Sequence, residues 1–184
     1  SLIGVPGLFK CWKKGNVGII NALGTGVADD KAVYSYVNKM IVYYLGEQPK
    51  LNQVETFLCE NKVHRQHVIE NIAKLVVKPA NASGGYGIMI GPKAPKKERD
   101  EMVKKIKKNP RDFVAQPLEI LSTIPTICEN GIEPRHLDLR PFILTGKTSY
   151  VTTGGLTRVA LRKGSTIVNS SQGGGSKDTM VVDA

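Results

Sequence analysis

The feature that most constrains this chain is a short apolar run that ends in a lysine and breaks into glycine. Residues 75–91 read LVVKPANASGGYGIMIG. This pattern predicts a strand, a flexible loop and a second strand, because the β-branched pair Val76-Val77 favours a buried strand. Lys78 lies where the first strand ends, and glycine lets the N–H groups of the loop turn toward one anion. The hairpin therefore predicts a clamp for the phosphates of a nucleotide.

The composition excludes several classes of protein. With 184 residues, 41% of them apolar, the chain can form one well-cored domain or two small lobes. No apolar run reaches the roughly 18 residues of a membrane-spanning helix, so no membrane span is expected. The three cysteines are far apart and lack metal-ligand spacing, which favours a reducing, cytoplasmic setting over a disulfide framework.

Half of the net charge of +10 is concentrated in one stretch. Residues 93–108 contain eight basic and three acidic residues, a balance of +5. One interpretation is nucleic-acid binding. The other is a solvated helix face, because Met102, Val103 and Ile106 form a thin apolar stripe at helical spacing. No aromatic residue lies among the lysines to stack on bases, so we favour the solvated helix.

Before Gln116 the sequence predicts short helices and strands. Asp29 or Asp30 is expected to cap a helix over Lys31 to Leu45, which Gly46 would end. Apolar residues at helical spacing predict that one face of this helix packs into the core. These residues are Val33, Val37, Met40, Ile41 and Tyr44. The other expected elements are strands at residues 16–21, 56–59 and 113–119 and helices at residues 62–73 and 95–108.

After Gln116 the composition changes to segments typical of antiparallel strands. The expected strands are Leu137 to Thr145, Tyr150 to Thr153, and Leu156 to Leu161 with Thr166 to Val168. Residues 170–178 are rich in glycine and serine, which is typical of a flexible linker or of a loop that faces phosphate or substrate. We therefore expect an α+β chain with antiparallel sheets in two lobes, residues 1–115 and 116–184, and a nucleotide between them.

Polar and apolar residues alternate at the start of the second lobe. His136, Asp138 and Arg140 would share one face of a strand, which indicates a lined cleft or a solvent-facing strand with an ordinary ion pair. Arg158 follows a glycine bend, and it could face the same anion as Arg140. Asn169 is a candidate neutral ligand for a metal or a carbonyl. An acidic residue two positions from an asparagine, the usual kind of magnesium site in a nucleotide cleft, does not occur.

Five motifs in this order resemble the circularly permuted ATP-grasp family, a group of mostly uncharacterised proteins similar to glutathionylspermidine synthase. The motifs are Lys78-Pro79 with the loop at residues 83–87, Ala115-Gln116-Pro117, residues 138–142, residues 154–160 and residues 169–179. The resemblance runs through nearly the whole chain and includes residues 24–31. Each motif alone is weak evidence for the family, and the resemblance is specific because five motifs occur in this order.

The resemblance implies an ATP-grasp-like fold, with ATP held between two lobes. It implies that Lys78 contacts the α- and β-phosphates and that Gln116 and Glu119 flank the adenine and ribose. It also implies that Arg140 and Arg158 face the transferred phosphate. The implied loop over the phosphates consists of Ser83, Gly84, Gly85 and Gly87. The implied substrate side consists of Asp138, Asn169, Gly173 and Gly174.

The chemistry that the resemblance implies is ligation of a carboxylate to an amine through an acyl phosphate, with ATP and Mg²⁺ as cofactors. It does not identify the carboxylate or the amine. Family members are longer than this chain, and their magnesium ligands are expected in the N-terminal part. The fold is therefore expected to be incomplete, to lack metal ligands and to be inactive alone. The alternative is a degenerate ATP-grasp module that acts as a binding or scaffold protein without ligase activity.

Overall fold

Two four-stranded antiparallel sheets, joined by a short connector and accompanied by short helices, form the framework of the chain. The structure is a computed structural model that describes residues 4–20, 23–82, 84–170 and 173–182. This architecture confirms the predicted α+β class with antiparallel sheets. Within the described ranges, none of the helices has the length and apolar character that a membrane crossing requires.

The first sheet has the strand order β1-β4-β2-β3, and the second has the order β5-β6-β7-β8. The helices are α1 (Leu8–Lys13), α2 (Lys31–Tyr34), α3 (Val37–Leu45), α4 (Lys62–Glu70) and α5 (Lys96–Lys108). The strands of the first sheet are β1 (Phe57–Leu58), β2 (Leu75–Pro79), β3 (Met89–Ile90) and β4 (Phe113–Pro117). The strands of the second sheet are β5 (Thr123–Cys128), β6 (Gly131–Thr145), β7 (Ser149–Ala160) and β8 (Gly174–Met180).

Side-chain alternation along β2 separates the core from the opposite face of the first sheet. Leu75 and Val77 belong to the buried core cluster. Val76 and Lys78 alternate with them and therefore point to the other face. On the neighbouring strand β4, Gln116 pairs across from Val76 and lies on that same face. One face of the sheet is thus apolar and packed, and the other carries polar side chains.

Helices α4 and α5 cover the core face. Asn61 caps α4, because its side chain accepts hydrogen bonds from the N–H groups of Val63 and His64. Helix α5 buries Met102 and Ile106 in the same cluster as β2 and exposes its lysines. The predicted basic helix with a thin apolar stripe is therefore confirmed.

The helix predicted from Lys31 to Leu45 is broken into α2 and α3. The hydroxyl of Ser35 donates to the carbonyl oxygen of Ala32 at 2.8 Å. The N–H of Tyr36 bonds to the carbonyl of Val33, three residues back instead of four. This tighter turn ends α2 and redirects the chain before α3 begins.

The ends of these two helices agree with the prediction, whereas the expected core face does not. Asp30 caps α2 by accepting a hydrogen bond from the N–H of Ala32, and Gly46 ends α3 with a left-handed φ of 66°. Helix α3 contains no buried residue, and its apolar side faces a groove formed with residues 47–53. Helical spacing identified the apolar stripe but could not identify an element that covers it.

Several predictions for the strands were wrong. Residues 16–20 form no strand, and the last residue of that predicted strand, Asn21, lies outside the described part. Strand β5 was not predicted, and the two strands predicted between residues 150 and 161 are one strand, β7. Residues 166–168 are not in a strand.

Residues 174–178 of the glycine-rich tail, predicted as a linker or loop, belong to β8, which pairs with β7. Glycine is required where this strand begins, because a Cβ on Gly174 would lie 2.2 Å from the carbonyl oxygen of Val168. Composition therefore indicated flexibility where the structure has a close approach of two chain segments.

The connector between the sheets lies slightly after the predicted lobe boundary. Gln116 is inside β4 of the first sheet, and the second sheet begins at Thr123. The connection thus comprises residues 118–122. The division into two lobes remains a prediction, with its boundary best placed in this connector.

The outer edge of β6 is only partly paired. β5 pairs with residues 131–136, and β7 pairs with the opposite edge from Leu137 to Thr145. Among the residues that the structure describes, no strand pairs with the outer edge beyond that point. Ile143, Leu144 and Tyr150 are exposed near this end. The second sheet thus ends in a projecting hairpin with apolar side chains.

We predict that Ile106→Ala lowers the free energy of unfolding by about 2–5 kcal/mol, the usual cost of truncating a buried aliphatic side chain. Ile106 is fully buried in the core cluster. Urea unfolding followed by circular dichroism measures the effect. The matched control is Ile120→Ala, because Ile120 is 84% exposed in the connector. Similar small effects of the two substitutions would contradict the assignment of the core.

Candidate functional site

A cleft of about 700 Å³ lies between the end of β2, the glycine loop and the second sheet. Its lining combines parts of the chain that are far apart in sequence. The basic residues of the lining are Lys31, Lys78, Arg140 and Arg158. None of the described lining residues is acidic. The cleft is therefore suited to a ligand with several negative charges.

Lys78 extends from the fourth position of β2 into this cleft. Its ammonium donates a hydrogen bond to the side-chain oxygen of Gln116 at 2.6 Å. Burial lowers the pKa of Lys78, and the positive charge of Lys31 lowers it further. A negatively charged ligand would offset both effects, so the position favours an anion beside the ammonium.

Lys31 is a cleft residue that the sequence analysis did not identify. Asp30 caps α2 and places Lys31 at the first helical position. The N–H of Lys31 donates to the carbonyl of Ala80 at 2.8 Å, and its ammonium donates to the carbonyl of Ala82. These contacts join α2 to the loop after β2. The sequence showed an aspartate cap followed by Lys31. Nothing near Lys31 in the sequence indicated that it would contact the loop at residues 80–82.

Arg158 is held rigidly by two side chains. Asp138 and Arg158 are direct cross-strand partners on β6 and β7. The guanidinium donates to both carboxylate oxygens of Asp138, one of them at 2.8 Å, and to the amide oxygen of Asn169 at 2.5 Å. The hydrogen bonds between Asp138 and Arg158 lower the pKa of the Asp138 carboxyl and raise the pKa of the Arg158 guanidinium.

Arg140 approaches the same carboxylate, at the oxygen Oδ2 that Arg158 also contacts, and is held loosely. Its guanidinium is 3.5 Å from Asp138, and its side chain is 52% exposed. Asp138, Arg140, Arg158 and Asn169 are thus brought together, as the sequence analysis expected of the two arginines. Asp138 can neutralise only one of the two arginines, so a net positive charge remains at the cleft. His136 lies on β6 with Asp138 and Arg140, but its ring contacts the carbonyl of Leu121 at 2.7 Å.

The glycine loop forms one wall of the cleft. Gly84 and Gly85 line it, and both have positive φ values, 69° and 81°. Gly87 does not line the cleft, but its φ is 72° and a Cβ there would lie 2.9 Å from the ring of Pro79. These glycines allow the loop to fold back over the end of β2. Ser83, predicted for this loop, lies outside the described residues.

A second recess of about 570 Å³ continues from the cleft and is mostly apolar. The two share Lys78, Gly85, Ile88 and Asn169. The lining that belongs to the recess alone includes Val76, Leu118, Ile167, Val168, Gln116 and Glu119. A basic compartment next to an apolar one matches a ligand that has a charged end and a flat apolar end.

The structure does not place every predicted residue in the lining. Gln116 reaches the recess, but its amide nitrogen donates to the hydroxyl of Thr56 at 2.8 Å and its oxygen accepts from Lys78. Gly173 and Gly174 line neither compartment. The N–H of Gly174 donates to the carbonyl of Asn169 at 2.9 Å. These two glycines therefore shape the backbone that presents Asn169.

The residues present do not form a metal site by themselves. In the described ranges, no group of three histidine, cysteine or acidic side chains could hold a metal ion. Asp138, a carboxylate beside the cleft, is bonded to Arg158. A magnesium ion would therefore require oxygen ligands other than these side chains.

Comparisons with known proteins show which family this chain belongs to. A family model described as circularly permuted ATP-grasp type 2 matches residues 1–160. An uncharacterized protein of Synechocystis sp. is 55% identical over 99% of this chain and 38% of its own length. An uncharacterized protein of Mycobacterium tuberculosis is 51% identical over 99% of this chain and 33% of its own length.

A protein of Frankia casuarinae is 48% identical over 97% of this chain and 21% of its own length, and its name contains the words glutamate–cysteine ligase. The chain therefore spans less than two fifths of the length of these curated relatives.

We predict that Asp138 makes the fold sensitive to acid. Because its pKa is lower in the folded state, its stabilising effect is present above its ordinary pKa of 3.8 and is lost as the pH falls through the folded value. The stability difference between the wild type and Asp138→Asn should therefore be largest near about pH 6 and shrink toward about pH 3. Urea unfolding at several pH values measures it.

The pKa values of Asp30 and Glu133 are also lowered in the folded state. Their effect on stability is the same in the wild type and the variant, so it cancels in this comparison. A difference between the two chains that stays constant with pH would contradict the ion pair between Asp138 and Arg158.

Proposed function

Because the chain belongs to the circularly permuted ATP-grasp family, type 2, we propose that it forms the ATP-binding part of an ATP-dependent carboxylate–amine ligase. The observation that supports this most is the meeting of four cationic side chains and a glycine loop in one cleft beside an apolar recess. The name of the relative from Frankia casuarinae supports the reaction class. The proposed activity belongs to a protein of the length of these relatives.

In this proposal the basic compartment binds the triphosphate. Lys78 contacts the α- and β-phosphates, and Lys31, whose ammonium is bonded to the carbonyl of Ala82, adds a second ammonium. Gly84 and Gly85 let the loop approach the phosphates closely, and its backbone N–H groups can donate to them. Without an anion the four cations repel one another, so bound phosphates would stabilise their positions around the cleft.

The apolar recess accepts the adenine and ribose. Val76 and Ile88 provide apolar surface for the base, and Leu118 extends it along the connector. Glu119 lines this recess, and in the proposal it accepts hydrogen bonds from ribose hydroxyl groups. Gln116 contributes indirectly, because both ends of its amide are already bonded to protein side chains.

The proposed reaction has two steps. A carboxylate oxygen of the first substrate attacks the γ-phosphorus, the bond to the bridging oxygen breaks, and ADP leaves. The nitrogen of the amine then attacks the acyl carbon, the carbon–oxygen bond breaks, inorganic phosphate leaves, and the amine gives up a proton. Both steps gather negative charge at the transferred phosphoryl group, which positioned cations stabilise.

The two arginines have different parts in this scheme. Arg158 is a fixed cation, because Asp138 and Asn169 hold its guanidinium. Arg140 is half-exposed and loosely paired, so it can move to meet the phosphoryl group or the carboxylate substrate. Mg²⁺ is expected to enter with ATP, held by phosphate oxygens.

We predict that Lys78→Met weakens binding of Mg·ATP by about tenfold to a hundredfold, because hydrogen bonds to charged groups contribute roughly 1.5–3 kcal/mol. Methionine keeps most of the apolar stem and removes the ammonium. Isothermal titration calorimetry measures the dissociation constant, with urea unfolding to establish that the variant is folded.

The control is Lys74→Met, the same substitution at an exposed lysine just before β2. It should leave the affinity unchanged. Equal affinities of the Lys78→Met variant and the wild type would contradict the proposed site. ATP binding without phosphate release, in a full-length family member supplied with amino-acid substrates, would favour the scaffold alternative.

A further inference from the structure

A chain of three hydrogen bonds runs from the cleft into the body of the first sheet. The ammonium of Lys78 donates to the amide oxygen of Gln116 at 2.6 Å. The amide nitrogen of Gln116 donates to the hydroxyl oxygen of Thr56 at 2.8 Å. The hydroxyl of Thr56 donates to the backbone carbonyl of Val54 at 3.0 Å. Each donor in the chain points away from the cleft.

The direction of these bonds follows from the chemistry of the groups. An ammonium has only donors, so Gln116 must present its oxygen to Lys78. Its nitrogen then needs an acceptor, which Thr56 supplies because the hydroxyl proton is used on Val54. Gln116 is buried, with 9% exposure, so an unpaired amide group there would be costly.

The position of Thr56 is a consequence of strand pairing. β1 pairs with β4 so that Phe57 lies across from Ala115. The residues just outside this pair, Thr56 and Gln116, are therefore brought side by side. β2 pairs with the other edge of β4 and supplies Lys78. Three chain segments thus converge on one amide.

We propose that Thr56 is a positioning residue, which orients the amide of Gln116 so that its oxygen holds the ammonium of Lys78 in the cleft. This inference rests on the proposed function insofar as the ammonium serves a nucleotide phosphate. Thr56 does not line the cleft or the apolar recess, so it acts through Gln116 alone.

The surroundings of Lys78 make this acceptor important. Burial and Lys31 both favour the neutral amine. Arg140 and Arg158 face the same cleft from the second sheet, and Asp138 is bonded to Arg158 rather than to Lys78. The ionisable groups that also line the two compartments are Tyr86 and Glu119.

Among the residues that the structure describes, no carboxylate pairs with Lys78, and the oxygen of Gln116 is its close acceptor at 2.6 Å. If the amide of Gln116 turned, it would present its nitrogen to the ammonium, and the charged form would lose that acceptor.

The test compares Thr56→Val, which is isosteric but cannot accept a hydrogen bond, with Thr56→Ser, which keeps the hydroxyl. The pKa of Lys78 is read directly from the ¹³Cε shift of labelled lysine in the protein without nucleotide. Affinity for Mg·ATP is measured by calorimetry across the alkaline range. Thr56→Ala replaces the valine variant if urea unfolding shows that valine disturbs the fold.

We expect Thr56→Val to lower the pKa of Lys78, move the alkaline limit of Mg·ATP binding to lower pH, and weaken binding by about fivefold, the effect of one hydrogen bond. Thr56→Ser should match the wild type. A folded valine or alanine variant with an unchanged Lys78 pKa and unchanged affinity would overturn the proposal. A lowered pKa in a protein that binds no ATP would support the positioning role and overturn the ATP assignment instead.

Discussion

The alternation of side chains along β2 is the constraint on which both the core and the cleft depend. Val77 enters the core, and the next residue, Lys78, reaches the cleft. A shift of β2 by one residue would bury an ammonium among aliphatic side chains and turn Val77 out of the core, so the packing of Val77 also determines the position of Lys78. The same pairing brings Gln116 beside Lys78. The strand register that stabilises the first sheet therefore also positions Lys78 and Gln116.

The two arginines of the cleft differ in how tightly they are held. Asp138 binds one arginine tightly and the other loosely. Arg158 is consequently ordered before any ligand arrives, whereas Arg140 keeps the freedom of a half-exposed side chain. In the proposed function, the ordered cation loses little conformational entropy when a ligand binds, and the mobile one can adapt to the substrate. Lys31 and Lys78 complete a positive field without a carboxylate in the described lining.

Local patterns predicted the hairpin and the basic helix α5, and residue alternation predicted that Asp138 and Arg140 share one face of a strand. They could not predict the place of Lys31, since its contacts are to the carbonyls of residues 80 and 82. The family resemblance implied that Gln116 flanks the adenine and ribose, and the structure bonds its amide to Lys78 and Thr56. The strand β8 was missed because its glycines serve close packing of the backbone. Long-range contacts, which a single sequence does not display, account for these differences.

Within the described part of the chain, the outer edge of β6 after residue 137 is unpaired, and this has a consequence for handling the molecule. A bare row of N–H and carbonyl groups flanked by exposed Ile143 and Leu144 is a template on which another extended chain can hydrogen-bond. Concentrated preparations should therefore form oligomers by strand addition at this hairpin, and lysine on its solvent-facing positions should keep the protein dispersed. Work on nucleotide recognition would benefit from that change, because the hairpin tip lies outside the lining of the cleft.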